Sequence, residues 1–308
     1  MSHLIRRESC AACGKGDRLS VLYSLSYADV QLAEPLIARY HGNLVAEDIA
    51  DGSYELVVCE NCTHTFQRFV PDDVLAEKIY SYPESRIPES IKKRIESPLS
   101  YYRKNALMVA KMGMLLGNGV PQQKSILDFG MGWGSFLAMA QAFGYQTMGL
   151  EMSDERREFA QKSGIPCVTV ESELEETTYD FIQCDNVMEH VTDPMEVFED
   201  MAKHLSKDGI IYIAVPNCTR VPSEIRASST KTNPLRKSLF PLEHINAFSH
   251  QSLITLAVRA GFKPIEPSTF GKRLMKGVSL WKGGDLLQAV IENQYRYSTS
   301  TELYFERA

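Results

Sequence analysis

The stretch ILDFGMGWG, Ile126 to Gly134, holds residue types suited to cradling a ligand. A short apolar run delivers Asp128, and then Gly130, Gly132 and Gly134 alternate. Alternating glycines let a backbone turn sharply and let a ligand approach where a side chain would clash. One helix-length later, GLEMS (Gly149 to Ser153) puts Glu151 at the end of the next apolar run. That is where nucleotide-binding folds meet a ribose, and one carboxylate can accept both hydroxyls. The spacing is G-x-G-x-G, whereas dinucleotide sites favour G-x-G-x-x-G, in which a helix N-terminus meets a pyrophosphate. A carboxylate at Asp128 would repel a pyrophosphate and attract a cation. The turn therefore points to an adenosine cofactor with a positively charged end and no phosphate.

Two cysteine pairs form a second constellation: Cys10 with Cys13, and Cys59 with Cys62, each C-x-x-C. The second pair lies between strand-like runs, YELVV and THTFQRFV. Four thiolates on two such turns make a closed tetrahedral zinc site with no open position, so the zinc is expected to be structural. MSHLIRRESC has no hydrophobic signal core, which favours metal ligation over disulfides and a cytoplasmic location.

These residues need elements to position them. A broken helical stretch over 74–95, with Tyr80 and Tyr82, leads into a helix from about Ser100 to Leu116. Strands and helices then alternate: SILDFG, SFLAMAQAFG, YQTMGLE, SDERREFAQKSG with Ser153 as N-cap, IPCVTV, YDFIQCD, DPMEVFEDMAKHL with Asp193 as N-cap, and GIIYIAVPN. This alternation predicts a doubly wound, mostly parallel α/β sheet. Residues 216–248 read as a polar insertion, and SHQSLITLAVRAGF as a helix capped by Ser249. Residues 271–295 read as irregular and partly helical, and TELYFERA as a closing, antiparallel edge strand. The expected domains are a zinc module over 1–72, a helical linker over 73–120 that covers the cofactor, and a core over 121–308.

The run Tyr179 to Asn217, YDFIQCDNVMEHVTDPMEVFEDMAKHLSKDGIIYIAVPN, resembles the second half of class I S-adenosylmethionine-dependent methyltransferases. PLEHINAFSHQSL and RAGF are similar to that family's later motifs, and the resemblance covers about 100–308. It implies a Rossmann-like methyltransferase sheet with S-adenosylmethionine as cofactor. Asp128, Gly130, Gly132 and Gly134 would shape the pocket for the methionine end, and Glu151 would take the ribose. Glu171 would contact the adenine amine, and Asp185 and Asn186 would lie where cofactor and substrate meet. With a zinc module in front, the chain looks like methyltransferases of sugar and natural-product pathways, including C-methyltransferases of nucleotide-linked keto-sugars. In that group the matching site residues are His190, the Glu243–His244 pair, and a linker tyrosine, here Tyr80 or Tyr82. A histidine would be the general base, His190 or His244. The chain is read as lacking that group's C-terminal domain, and Pro241 and Leu242 stand where the group has a tyrosine.

The expected partner is a small molecule. Arg220, Arg226, Lys231, Arg236 and Lys237 face only Glu224 in the insertion, a composition that suits a phosphate-bearing substrate. No apolar run approaches the roughly 20 residues that span a bilayer. The net charge of −6, with nine acids against six bases in the first 70 residues, disfavours nucleic acid. Two alternatives stay open: a methyltransferase that grips RNA or protein through the zinc module, and a cofactor-binding scaffold without catalysis.

Overall fold

The computed structural model describes residues 3–40, 42–80, 98–117, 120–174, 176–227, 237–265 and 300–308. The strands, in chain order, are Leu4–Arg6 (β1), Leu19–Ser26 (β2), Ser53–Cys59 (β3), Thr65–Gln67 (β4), Phe69–Pro71 (β5), Ser125–Phe129 (β6) and Gln146–Leu150 (β7). They continue with Cys167–Val168 (β8), Tyr179–Asp185 (β9), Leu205–Pro216 (β10), Asn246–Ala247 (β11), Phe262–Pro264 (β12) and Ser300–Arg307 (β13). The described residues fall into two compact units. One draws on 1–90, 188–195 and 216–259, and the other on 91–187, 196–215 and 260–308.

The second unit is the α/β sheet that the alternation predicts. Its strand order is β12-β13-β10-β9-β6-β7-β8, and β10, β9, β6, β7 and β8 run parallel. Parallel strands are covered on both faces and so read as continuous apolar runs. Ile126, Phe181 and Ile210 are accordingly buried in one core with Val109, Met112 and Leu115 of the helix Pro98–Leu116, and with Phe136, Leu137 and Ala140 of the helix Ser135–Ala142. Two expectations change here. TELYFERA is not an edge: β13 lies between β12 and β10, antiparallel to β12, which takes the rim. IPCVTV pairs only through Cys167 and Val168.

Helix starts follow local chemistry. Asp193 accepts from the Met195 N–H at 2.9 Å, with Pro194 in the first helical position. Ser249 and Ser252 cap each other reciprocally, each backbone N–H donating to the other's hydroxyl at 2.9 and 3.0 Å. Ser153 holds the expected N-cap position in extended backbone, without capping through its side chain. Its N–H donates to Glu151.

The first unit holds the antiparallel sheet β11-β4-β3-β2 and the ribbon β1-β5. THTFQRFV thus divides into two strands that belong to different sheets. Residues 216–248, expected as a polar insertion, contain the helix Val221–Ala227, a 3-10 turn at Lys237–Leu239 and β11. Cys218, Val221, Ile225, Leu239, Leu242 and Ala247 are buried in one core with Tyr27, Leu32, Leu36, Tyr54 and Ile79. No helix among the described residues is long and apolar enough to cross a membrane.

Phe198 ties the second unit's last strands to its helices. It meets Phe262 edge-on at 5.2 Å and Phe305 at 5.9 Å, and all three rings are buried. Phe198→Ala should destabilise this unit by about 3–5 kcal/mol, the usual cost of removing a buried phenyl ring. Urea unfolding followed by far-UV circular dichroism checks this.

Candidate active site

The glycine turn between β6 and the helix Ser135–Ala142 is held by Leu150, whose carbonyl accepts from the N–H groups of Gly130 and Met131 at 2.8 and 3.0 Å. Gly130 has φ +79°, and a side chain there would collide with Val187. Gly132 has φ +56° and faces open space, as a backbone cradle for a ligand requires. Glu151, at the end of β7, folds onto this turn. One oxygen accepts from Gly132 N–H at 2.9 Å and the other from Ser153 N–H at 3.0 Å. The oxygen on Gly132 also faces the Arg156 guanidinium at 3.6 Å, and each oxygen, with two lone pairs and one hydrogen bond, can accept a further donor such as a ribose hydroxyl.

Asp128 is 3% exposed and receives the Gln183 side-chain N–H at 3.3 Å. Burial, and then the charge of nearby Asp185, pushes its carboxyl up to about 8. A buried acid held this far from its ordinary range is poised to take a cationic group, which would restore its charge. Asp185 ends β9 and pairs with Lys104 at 3.0 Å, and it accepts from the Asn186 amide at 2.7 Å. Asn186 itself has φ +59° and donates its backbone N–H to Ala214. Asp128, Glu151, Asp185, Asn186 and the three glycines thus lie together around the glycine turn. Glu171 is engaged elsewhere: its carboxylate sits 2.9 Å from His204 Nε2, with Thr177 O 3.1 Å from the other ring nitrogen.

In the first unit, Tyr80, His190 and His244 form one cluster. His190 Nδ1 lies 3.0 Å from the Glu243 carbonyl and 3.1 Å from the Tyr80 hydroxyl. The His190 and His244 rings meet edge-on at 4.7 Å. The Glu243 carbonyl can only accept, so a bond to it requires the proton on Nδ1 and the lone pair on Nε2, whereas a bond donated by the Tyr80 hydroxyl requires the opposite tautomer. The carboxylate 3.9 Å from that Nε2 belongs to Glu189, which is 1% exposed. Donor atoms of Glu189, His190 and His244 all lie within 4.8 Å of one another. The Glu243 carboxylate has a different role. Arg39 grips it through two N–H groups at 2.7 and 2.9 Å, and Tyr40 donates at 2.9 Å. Burial works to raise the Glu243 pKa, but the bonds and charge of Arg39, with Tyr40, outweigh it and hold Glu243 below its ordinary value.

Residues that the sequence did not single out hold this cluster in place. Gln67 donates to the carbonyls of Phe240 and His244, each at 3.0 Å, and accepts from Leu242 N–H. Leu242 has φ +66°, a strained value for a bulky side chain, directly before the Glu243–His244 pair. Arg39 also lies 4.2 Å over the Phe240 ring. Tyr82, Lys231 and Arg236 fall outside the described residues, as does 271–295.

The four cysteines converge. Cys10 and Cys62 have sulfurs 3.5 Å apart, as do Cys13 and Cys59, and all four lie within 4.8 Å. Burial and then the charge of Cys10 push the Cys59 thiol up to about 11. A divalent cation reverses that preference, because coordination deprotonates a thiol outright. The donor set and its clustering fit a tetrahedral ion.

A family model described as "Methyltransferase domain" matches residues 102–266. The ubiquinone biosynthesis O-methyltransferase of Vibrio cholerae serotype O1 (strain M66-2) is 30% identical over 104 residues, which is 30% of this chain and 42% of that protein. The enzyme of the same name from Actinobacillus pleuropneumoniae serotype 7 is 31% identical over 111 residues, 31% of this chain and 47% of its own. The chain thus spans less than half the length of these curated relatives. Among solved structures, the plantazolicin methyltransferase BpumL, in complex with a pentazolic desmethylPZN analog and SAH, shares the fold. Its TM-score is 0.51 at 18% identity, over 76% of this chain and 94% of that one. BamL, also a plantazolicin methyltransferase, matches with TM-score 0.51 at 14% identity, over 76% and 94%.

Asp128 yields a pH prediction whose sign is fixed. Its folded pKa of about 8 lies above the unfolded value of about 4, so between those pH values the native state holds a proton that the unfolded chain has released. Stability of the ligand-free protein should therefore fall as pH rises from about 4 to 8 through this group. Asp128→Asn should remove that part of the slope, as measured by thermal unfolding across the range.

Proposed function

We propose that this chain, which belongs to the methyltransferase-domain family, transfers the methyl group of S-adenosylmethionine to a small-molecule acceptor, with His190 as general base. The observation that carries the cofactor is the buried Asp128 beside an open glycine cradle and a Glu151 carboxylate with two lone pairs to spare. Bound S-adenosylmethionine supplies an electrophilic methyl on a sulfonium. Asp128 would hold the methionine amino group and Glu151 the ribose hydroxyls, while Asp185 and Asn186 close the methionine end. Relatives named as O-methyltransferases and fold neighbours solved with SAH support the same cofactor.

A hydroxyl or an acidic carbon attacks the methyl only as it loses its proton. His190 Nε2 carries the lone pair that takes it. The Glu243 carbonyl keeps that tautomer, and the Glu189 carboxylate stabilises the imidazolium that forms. Tyr80 and His244 pack against the same ring and orient the acceptor. Glu243, clamped by Arg39, acts through its backbone rather than its carboxylate. The acceptor is a biosynthetic intermediate, with a nucleotide-linked sugar as the leading class. The cationic Arg220, Arg226 and Lys237 suit its phosphates. Cys10, Cys13, Cys59 and Cys62 hold one structural zinc, and the enzyme works in the cytoplasm. A second reading rests on the three donors of Glu189, His190 and His244. They would hold a divalent cation that acidifies the acceptor directly. Methyl transfer by zinc-loaded protein that needs added magnesium or manganese supports it over the histidine base.

Calorimetry should show SAH binding, weakened by about 150-fold or more in Glu151→Ala, the loss of two charge-assisted hydrogen bonds worth about 1.5 kcal/mol or more each. Wild-type protein that binds neither SAH nor S-adenosylmethionine would overturn the assignment. Elemental analysis should find about one zinc per chain, and chelation should unfold the cysteine module. Protein that folds metal-free removes the zinc.

A further inference from the structure

Residues 188–192 form neither helix nor strand, so their carbonyls need donors from elsewhere. Two side chains provide them. Asn246 donates its amide to Met188 O at 3.0 Å and to Val191 O at 2.7 Å, and its backbone N–H to Glu189 O at 3.0 Å. Arg7 donates to Thr192 O at 2.6 Å and to Val191 O at 3.4 Å, and its other terminal nitrogen reaches the Asn246 side-chain oxygen at 2.8 Å. Both amide protons and the amide oxygen of Asn246 are thus in use, at 1% exposure. Burial draws the Arg7 pKa down to about 10, and the guanidinium remains charged at neutral pH.

The bonded carbonyls flank His190 on both sides, at 188–189 and at 191–192. The ring of His190 is held in turn by the Glu243 carbonyl, three residues before Asn246. One short stretch, 243–246, therefore fixes both the backbone and the ring of the proposed base. Arg7 lies three residues before Cys10, so the fold of the four-cysteine module sets where the guanidinium begins. Met188 and Glu189 are buried, so their carbonyls need protein donors, whereas Thr192 is exposed and water could serve its carbonyl. Here a charged fork and a buried amide are committed to three carbonyls around one imidazole, and the Asn246 backbone N–H takes a fourth.

We infer that Arg7 and Asn246 are positioning residues: they couple the N-terminal cysteine module to the loop that carries Glu189 and His190, and keep the His190 imidazole in the Nδ1–H tautomer with Nε2 available as base. This rests on the reading of His190 as the base.

The test is long-range 1H–15N NMR of the histidine-labelled full chain, with the His190 signal identified by its loss in His190→Gln. Wild-type protein should show the Nδ1–H pattern. Arg7→Gln and Asn246→Asp should spread the ring over both tautomers, and Arg7→Lys should restore part of the wild-type pattern. SAH affinity should stay unchanged in all three. An unaltered His190 pattern in both Arg7→Gln and Asn246→Asp overturns the inference, as does a change that Arg7→Lys leaves wholly unrelieved while SAH affinity is lost alongside it. A wild-type tautomer held as expected in protein that ignores SAH would keep the positioning role and reject the methyltransferase reading.

Discussion

A buried backbone carbonyl that is neither in a helix nor in a sheet must find a donor, and in the segment 188–192 four carbonyls around one histidine are bonded by Asn246 and Arg7. The structure meets that constraint with a buried amide and a guanidinium whose positions depend on β11 and on the cysteine turns. β11 is only two residues long, yet its Asn246 pairs with Phe66 of β4 and also satisfies the loop. Gln67, the next residue in β4, does the same for 240–244. Two adjacent residues of a central strand, and one of its neighbour, fix both histidine-bearing segments.

Two carboxylates show how differently the molecule treats buried charge. Glu243 and Asp128 are both removed from water, and burial alone would raise both. Glu243 has a guanidinium at 2.7 Å and a tyrosine hydroxyl at 2.9 Å, and it stays ionised. Asp128 has an amide at 3.3 Å and the like charges of Asp185 and Glu151 nearby, which with burial outweigh the Lys104 cation, and it rises to about 8. The first is a finished structural pair, whose removal would strand a charge. The second is energetically unfinished, and a cation is what would complete it. Side chains of one chemical kind thus divide into scaffold and site according to their partners.

That division explains what could be read from the amino-acid order. The glycine turn, Glu151, the two C-x-x-C pairs and the Asp193–Pro194 helix start depend on residues within a few positions of one another, and their local geometry follows. The alternation of elements was equally legible, because parallel strands must be apolar throughout. Alternation does not say which strand lies at the rim, so the interior place of β13 was hidden. Glu171 reads as the contact to the adenine amine, and the structure places His204, 33 residues on, against its carboxylate. Glu243 reads as the partner of its neighbour His244 until Arg39, 204 residues away, takes the carboxylate. From the sequence Arg7, Arg39, Gln67, Glu189 and Asn246 receive no role, although Glu189 and Asn246 lie within the runs YDFIQCDNVMEHV and PLEHINAFSHQSL. Their meaning lies in contacts across the chain.

Leu242 brings these threads together. A branched side chain at φ +66° costs on the order of 1 kcal/mol or more, and such a residue persists only where its surroundings over-determine it. Its side chain is buried in the first unit's core and its N–H is held by Gln67 at 3.1 Å. With both ends tied, the backbone must turn there, and the turn separates the two halves of the following residue. The Glu243 carboxylate goes to Arg39 and Tyr40, and its carbonyl goes to His190. A glycine would adopt the same φ without strain but would also relax freely out of it. The leucine, anchored by burial, gives the turn a single conformation, and through the Glu243 carbonyl that conformation reaches the imidazole.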